Sequence, residues 1–174
     1  TILADKEEIG SVGNTGMQAA YLRYFIDDLA AVFGEKGHHV LSNSVCLSAD
    51  VNAAFDPLYP DVMVRSNAAQ LNYGVCITKY TGARGKSGTS DASAEFMGRV
   101  RRILDDNKVL WQIGELGKVD AGGGGTVAMY IANLDVDTVD LGVPVLSMHA
   151  PFEVVSKIDV YMAHRAFLAT MQRD

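Results

Sequence analysis

Clustered cations, long apolar runs and paired cysteines are all scarce in this 174-residue chain. Lys and Arg number 15 against 21 Asp and Glu, a formal net charge of −6. Binding to phosphate backbones needs clustered Lys and Arg, so nucleic acid is excluded as the main partner. The densest basic run, Arg99-Val100-Arg101-Arg102, falls in a predicted helix and is followed by Asp105 and Asp106, which reads as a solvated face. No uninterrupted apolar stretch approaches the ~20 residues of a membrane helix. No basic-then-apolar leader occurs in the chain either, and a membrane partner is not expected. The two cysteines, Cys46 and Cys76, each lie inside an apolar run and far from CxxC spacing. Reduced, buried thiols are therefore expected, which fits a cytoplasmic location. No Ser-His-Asp or Cys-His arrangement has supporting context, so covalent catalysis is poorly motivated.

Hydrophobic residues make up 48% of the chain and charged residues 21%, an ordinary globular balance that fits one domain with a substantial core. Thr1-Ile2-Leu3-Ala4 reads as the end of a strand already inside a domain, which suggests the C-terminal part of a longer polypeptide. Gly10, Gly13 and Gly16 then form a loop, with Asn14 or Thr15 as candidate cap of the next helix. Leu22, Ile26, Leu29 and Phe33 make a helical stripe that Gly34 is placed to stop. Val45-Cys46-Leu47 reads as a buried strand, and Pro57 and Pro60 mark an irregular stretch.

Gly74 to Tyr80 is a second strand, and Thr81 to Ser90, with three glycines, is expected to be a loop. Ser90 or Asp91 would cap a helix whose inner face is Phe96, Val100, Ile103 and Leu104. Val109 to Ile113 and Val143 to Ser147 are further strands. A short helix follows Gly122–Gly125 and runs to about Asn133. The last helix is expected from about Pro151 to Met171, with Val154, Ile158, Tyr161 and Leu168 inward. Strands alternating with helices predict an α/β layered sheet with helices on both faces.

Three short motifs carry the chemistry: Asp5-Lys6-Glu7-Glu8, Ser48-Ala49-Asp50 and Ser147-Met148-His149, each expected at a strand end. Adjacent carboxylates at Glu7 and Glu8 repel unless a cation lies near or one is protonated. A divalent metal resolves this, one Glu coordinating it while the other takes a proton from its water. The residues alone leave open which Glu does which. Asp50 emerges from an apolar run and must lie at its mouth or be paired, because a bare buried charge is costly. His149 occupies a similar position after Val143–Met148. His38-His39 reads as exposed, and His164, in mid-helix, as a surface or packing residue. Gly122–Gly125 and Thr126 read first as a tight turn or as backbone donors for a polarised carbonyl oxygen in a cleft, with N–H groups presented to a phosphorylated ligand as the alternative. The Lys-Ser/Thr pair of a P-loop is missing.

In order and spacing these motifs, with the strand leading to Lys79, the GGGGT loop and Val139–His149, resemble the M18 family of metalloaminopeptidases, relatives of aspartyl aminopeptidase. The resemblance spans nearly the whole chain. It implies a zinc-exopeptidase (phosphorylase/hydrolase-like) catalytic domain, of which residues 1–174 would be the C-terminal part, incomplete at its N-terminus. It further implies a homo-oligomeric aminopeptidase that hydrolyses the first peptide bond of peptides through a dizinc-activated water. Other divalent metals such as Mn or Co could occupy the sites. By the resemblance Glu7 is the general base, Glu8 and His149 ligate one zinc and Asp50 the other. Lys79, Met148, Gly124 and Gly125 are candidate substrate contacts.

Two departures matter. Family members carry a His and a metal-bridging Asp upstream of the Glu-Glu pair, together with an inserted oligomerisation domain, and none of these is in this chain. The chain alone is therefore expected to be inactive. Aspartyl-type members also have His-Pro after the SAD motif where Asp56-Pro57 stands here, and a GST-type loop in place of GGGGT, so selectivity for acidic residues is not implied.

Overall fold

The computed structural model describes residues 1–85 and 87–172. Leu22 and Ile26 face inward from the first helix, α1 (Tyr21–Val32), which turns at Gly34 (φ +74°) into the short α2 (Gly37–Ser42). The expected stripe holds only at its start, since Leu29 and Phe33 are exposed. Neither Asn14 nor Thr15 caps α1. Ala20 occupies the cap position without a side-chain bond, and the Thr15 hydroxyl donates instead to Asp5 Oδ2 (2.8 Å). Residues 2–4 form no strand but an irregular segment with Leu3 fully in solvent.

The strands follow in order: β1 (Val45–Ser48), β2 (Asn52–Ala53), β3 (Val75–Thr78), β4 (Tyr80–Ala83), β5 (Ser87–Asp91) and β6 (Trp111–Ile113). Then come β7 (Asp137–Gly142), β8 (Pro144–Leu146) and β9 (Val154–Val155). The main sheet runs β1-β7-β3-β6, with β1 parallel to β7, β3 antiparallel to β7 and β6 parallel to β3. A smaller sheet, β2-β8-β9, continues beside it. The expected glycine loop at 81–90 is instead the antiparallel hairpin β4–β5, with a bulge between Thr81 and Ala83. Gly82 in the bulge allows the two strands to approach closely, because a Cβ there would lie 2.6 Å from the Thr89 methyl.

β7 was not expected as a strand: Asp137, Asp140 and Gly142 break its apolar pattern, yet it is the second strand of the main sheet. Its alternation divides the two layers. Val139 and Leu141 pack with Val75 and Ile77 of β3 against α3 (Ala94–Asp106) and α5 (Lys157–Met171). The α3 face of Phe96, Val100, Ile103 and Leu104 is buried as expected. Its cap is Ser93, whose hydroxyl accepts from Phe96 N (3.2 Å), not Ser90 or Asp91, which belong to β5. On the other face α1, α2 and α4 (Ala128–Ala132) cover Cys46, so helices flank both sides. Cys46 and Cys76 are free thiols, and burial pushes Cys76 up to about 12.

The last helix starts at Lys157, six residues later than the sequence suggests, because residues 154–155 pair with β8 and Ser156 caps the helix. Its inner face is Asp159, Ala163, Ala166 and Ala169, whereas Val154, Ile158, Tyr161 and Leu168 are exposed. Small residues let α5 lie close to α3 and β3. Asp159 is fully buried and accepts from the backbone N–H of Asn72 and Gly74 (both 2.8 Å), fastening α5 to the entry of β3.

Candidate active site

Three separated segments deliver charged groups to one end of this sheet. The acidic pair does not lie at a strand end, as expected, but in a single 3-10 turn, Glu7–Ile9. Lys6 (φ 60°) and Gly10 (φ 94°) bracket the turn in left-handed conformations. The Gly10 carbonyl anchors it, accepting from Gln18 Nε2 (2.7 Å) and from the hydroxyl of Tyr130 (3.0 Å), a residue of the short helix Ala128–Ala132. Asp50 follows β1 by two residues and His149 follows β8 by three, both as expected of strand mouths. His149 Nε2 lies 3.1 Å from Glu8 Oε1.

The electrostatics tie the four residues together. Burial lifts the Glu7 carboxyl above its usual range, with Asp50 and Glu8 adding to the lift and His149 opposing it. Burial also lifts Asp50; a backbone hydrogen bond from Val51 and the nearby His149 oppose this, while Glu8 adds to it. A cluster of carboxylates with raised affinity for protons is one that a cation would relieve. Glu8 Oε1 and His149 Nε2 stand at a separation compatible with two ligands of one tetrahedral zinc, whose neighbouring donors sit about 3.3 Å apart. The fit is partial: among the described residues no group of three His, Cys, Asp or Glu side chains could hold a metal ion.

A carboxylate that sequence reasoning missed lies beneath the cluster. Asp140 in β7 is buried and stands level with Ser48 of β1 and Thr78 of β3. Its Oδ2 accepts from the Thr126 hydroxyl (2.8 Å), while Oδ1 has no partner. Ser48 Oγ makes no hydrogen bond of normal geometry, so Thr126 is the contact that carries this group. Burial raises Asp140 to about 6; the Ser48 and Thr126 hydroxyls oppose the shift and Asp50 and Glu7 add to it. The only sequence signal was an Asp inside an apolar segment.

This shift has a stability consequence. Because the folded-state value lies above the usual 3.8, the fold binds the proton more tightly than the unfolded chain does. The metal-free chain therefore loses stability as pH rises from about 3.8 to 6, by about 3 kcal/mol for this group. Asp140→Asn is expected to flatten that part of the curve. Thermal unfolding of both forms between pH 4 and 7 checks it, and parallel curves would refute the assignment.

Gly125, Thr126, Met129 and Tyr130 line a cleft of about 270 Å³ together with Glu7, Glu8, Gly10, Ser11 and Gly88. Gly124, Lys79 and Met148 are not on its lining. Lys79 is ion-paired with Asp91, and Met148 is half-buried between Ser147 and His149. The glycine loop runs alongside β4, its Gly122 and Gly124 carbonyls accepting from Arg84 N (2.8 Å) and Gly82 N (2.9 Å). Its glycines are needed for close approach: a Cβ at Gly123 would lie 2.2 Å from Gly82 O, and one at Gly125 would lie 2.7 Å from Gly88 O. The loop is thus committed to strand-like packing and leads into a helix of five residues. The phosphate-binding alternative is not favoured.

An acidic pair, an Asp and a His thus stand together at the mouth of an α/β sheet, donor types that a metallohydrolase uses. Over residues 1–170 the chain matches the family described as Aminopeptidase I zinc metalloprotease (M18), and it belongs to that family. A curated relative, a probable M18 family aminopeptidase 1 of Clostridium acetobutylicum, is 48% identical over 173 residues, 97% of this chain and 37% of the relative. The crystal structure of an M18 family aminopeptidase from Thermotoga maritima superposes with a TM-score of 0.93 at 45% identity, covering 98% of this chain and 39% of that one. A Saccharomyces cerevisiae mApe1 dodecamer matches with a TM-score of 0.75 at 22% identity, over 98% of this chain and 37% of that one, a likeness of fold. This chain thus spans less than two-fifths of the length of these relatives. No helix among the described residues is long and apolar enough to cross a membrane.

Proposed function

We propose that the complete polypeptide carrying this chain is a cytoplasmic zinc aminopeptidase that removes the N-terminal residue of peptides, and that residues 1–174 are the C-terminal part of its catalytic domain. The observation that carries the reading is the 3.1 Å approach of Glu8 and His149, from segments 141 residues apart in sequence, beside Glu7 and Asp50. In this reading Glu8 and His149 hold one zinc and Asp50 contributes to a second, with Mn or Co as possible substitutes. Bound zinc would lower the pKa of a water and polarise the scissile carbonyl.

Glu7 supplies the proton chemistry. Its half-buried carboxylate, lifted first by burial and then by Asp50 and Glu8, has raised proton affinity and sits on the cleft lining. It would accept the proton of the attacking water and pass it to the leaving amine. Gly125 would form part of the wall along which the peptide lies, whereas Met148 and Gly124, off that lining, would need the rest of the polypeptide to reach it. Lys79, already paired with Asp91, would offer little net charge to an acidic side chain. Exposed apolar side chains along α1, among them Tyr24, Phe25, Val32 and Phe33, are consistent with further covering by homo-oligomer partners or the rest of the chain.

The chain by itself is expected to bind zinc without turnover, since its ligand set is partial. Calorimetric zinc titration of the chain beside His149→Ala tests the site. Binding should be present in the parent and lost, or weakened at least about tenfold, in the variant. Unchanged binding in the variant would mean that the ligands are other residues.

A further inference from the structure

We propose that Glu153 is a positioning residue for His149, acting through its backbone; the inference rests on the metallopeptidase reading above. The loop that carries His149 is conformationally unfavourable. Ser147 (φ 59°) and His149 (φ 65°) both occupy the left-handed region within three residues, and neither is glycine. Such conformations cost of order 1 kcal/mol each and persist only where the surroundings impose them.

Two hydrogen bonds do so here. Ala150 N donates to Ser147 O (2.9 Å), closing the turn. His149 N donates to Glu153 Oε1 at 2.6 Å, a short, charge-assisted contact. The position of Glu153 is itself imposed by the sheet. Leu146 pairs with Val154 and Val145 with Val155, so residues 147–153 form the closed end of the β8–β9 hairpin. The carboxylate therefore reaches across its own loop to the one backbone N–H whose orientation sets the His149 Cα–Cβ direction.

That direction brings Nε2 to within 3.1 Å of Glu8 Oε1. The contact of Glu153 is with the His149 backbone N–H, so its role is to hold that backbone. Without this acceptor the His149 backbone is free to leave the left-handed region, and the imidazole swings away from Glu8.

Three variants of the complete polypeptide separate positioning from bulk stability. Glu153→Gln keeps the acceptor oxygen and loses the charge. Glu153→Asp keeps the charge and loses the reach. Glu153→Ala loses both. Zinc dissociation constants from chelator competition should rise about 10- to 100-fold in the Ala and Asp variants and stay within about threefold in Gln. In the His149→Ala background Glu153→Asp should have no further effect.

Melting temperatures of the metal-free forms should stay close to the parent value in Gln and Asp. The Asp variant decides the matter should the Ala variant not fold. Zinc affinity unchanged in Glu153→Asp, or weakened equally in the His149→Ala background, overturns the inference while leaving the metal site standing. Zinc affinity unaffected by His149→Ala itself overturns the site, and the inference with it.

Discussion

Glu7→Gln in the complete polypeptide is expected to lower peptide turnover by roughly 10²- to 10⁴-fold, the range attributable to a positioned general base. The substitution is nearly isosteric and keeps a hydrogen-bonding side chain on the cleft lining, but an amide cannot accept the proton. Zinc content should be unchanged, because Glu8, and not Glu7, lies against His149. The reciprocal variant, Glu8→Gln, should lose zinc first and activity as a consequence. Steady-state kinetics with metal analysis on both variants separates the roles. Loss of zinc in Glu7→Gln with retention in Glu8→Gln would reverse them. This is the pair of roles that residue types alone left open.

Gly142→Ala is expected to be the most damaging single-methyl change in the chain. Gly142 ends β7, and a Cβ there would lie 1.7 Å from the Asp50 carbonyl oxygen and 2.5 Å from its carbon. Backbone atoms on both sides are held. Asp50 N donates to Ser48 O (3.0 Å), Asn52 N donates to Val143 O (3.1 Å), and Gly142 pairs with Cys76 of β3. Relief requires separating the Asp50 segment from the sheet, at about 3 kcal/mol or more.

Gly98→Ala is the control. Gly98 lies within α3 with nothing near its added methyl, and the change should stabilise by up to about 1 kcal/mol. Chemical denaturation of the two variants checks the contrast, and zinc titration of Gly142→Ala should also show a weakened contribution from Asp50. A Gly142→Ala protein as stable as the parent would mean that Asp50 is not seated against β7 as described.

The apolar stripe of α3, the strand ending at Ser48 and the placement of Asp50 and His149 just beyond strands were legible from residue order. Each depends on local periodicity or on a charge that an apolar run cannot bury. The glycine-rich hairpin β4–β5 and strand β7 were not legible. Glycine permits a bulged strand as readily as a loop, and β7 carries two aspartates that partners elsewhere in the sequence make tolerable. The inner face of α5 was misread for a related reason. Its large apolar residues look outward, and its alanines meet α3 and β3.

The sequence by itself determined which donor types are present and in what order: two adjacent carboxylates, an Asp and a His, with the family that this order identifies. Those are properties of side-chain chemistry and spacing. Only the tertiary structure decided that Glu8 and not Glu7 faces His149, that Asp91 engages Lys79, and that Asp140 sits unseen beneath the cluster with its proton affinity raised. It also decided that a glutamate four residues beyond His149 holds that residue's backbone. Distances, burial and backbone conformation arise when β7 inserts between β1 and β3 and the β8–β9 hairpin closes. These pairings join residues up to about a hundred positions apart, and no local pattern records them.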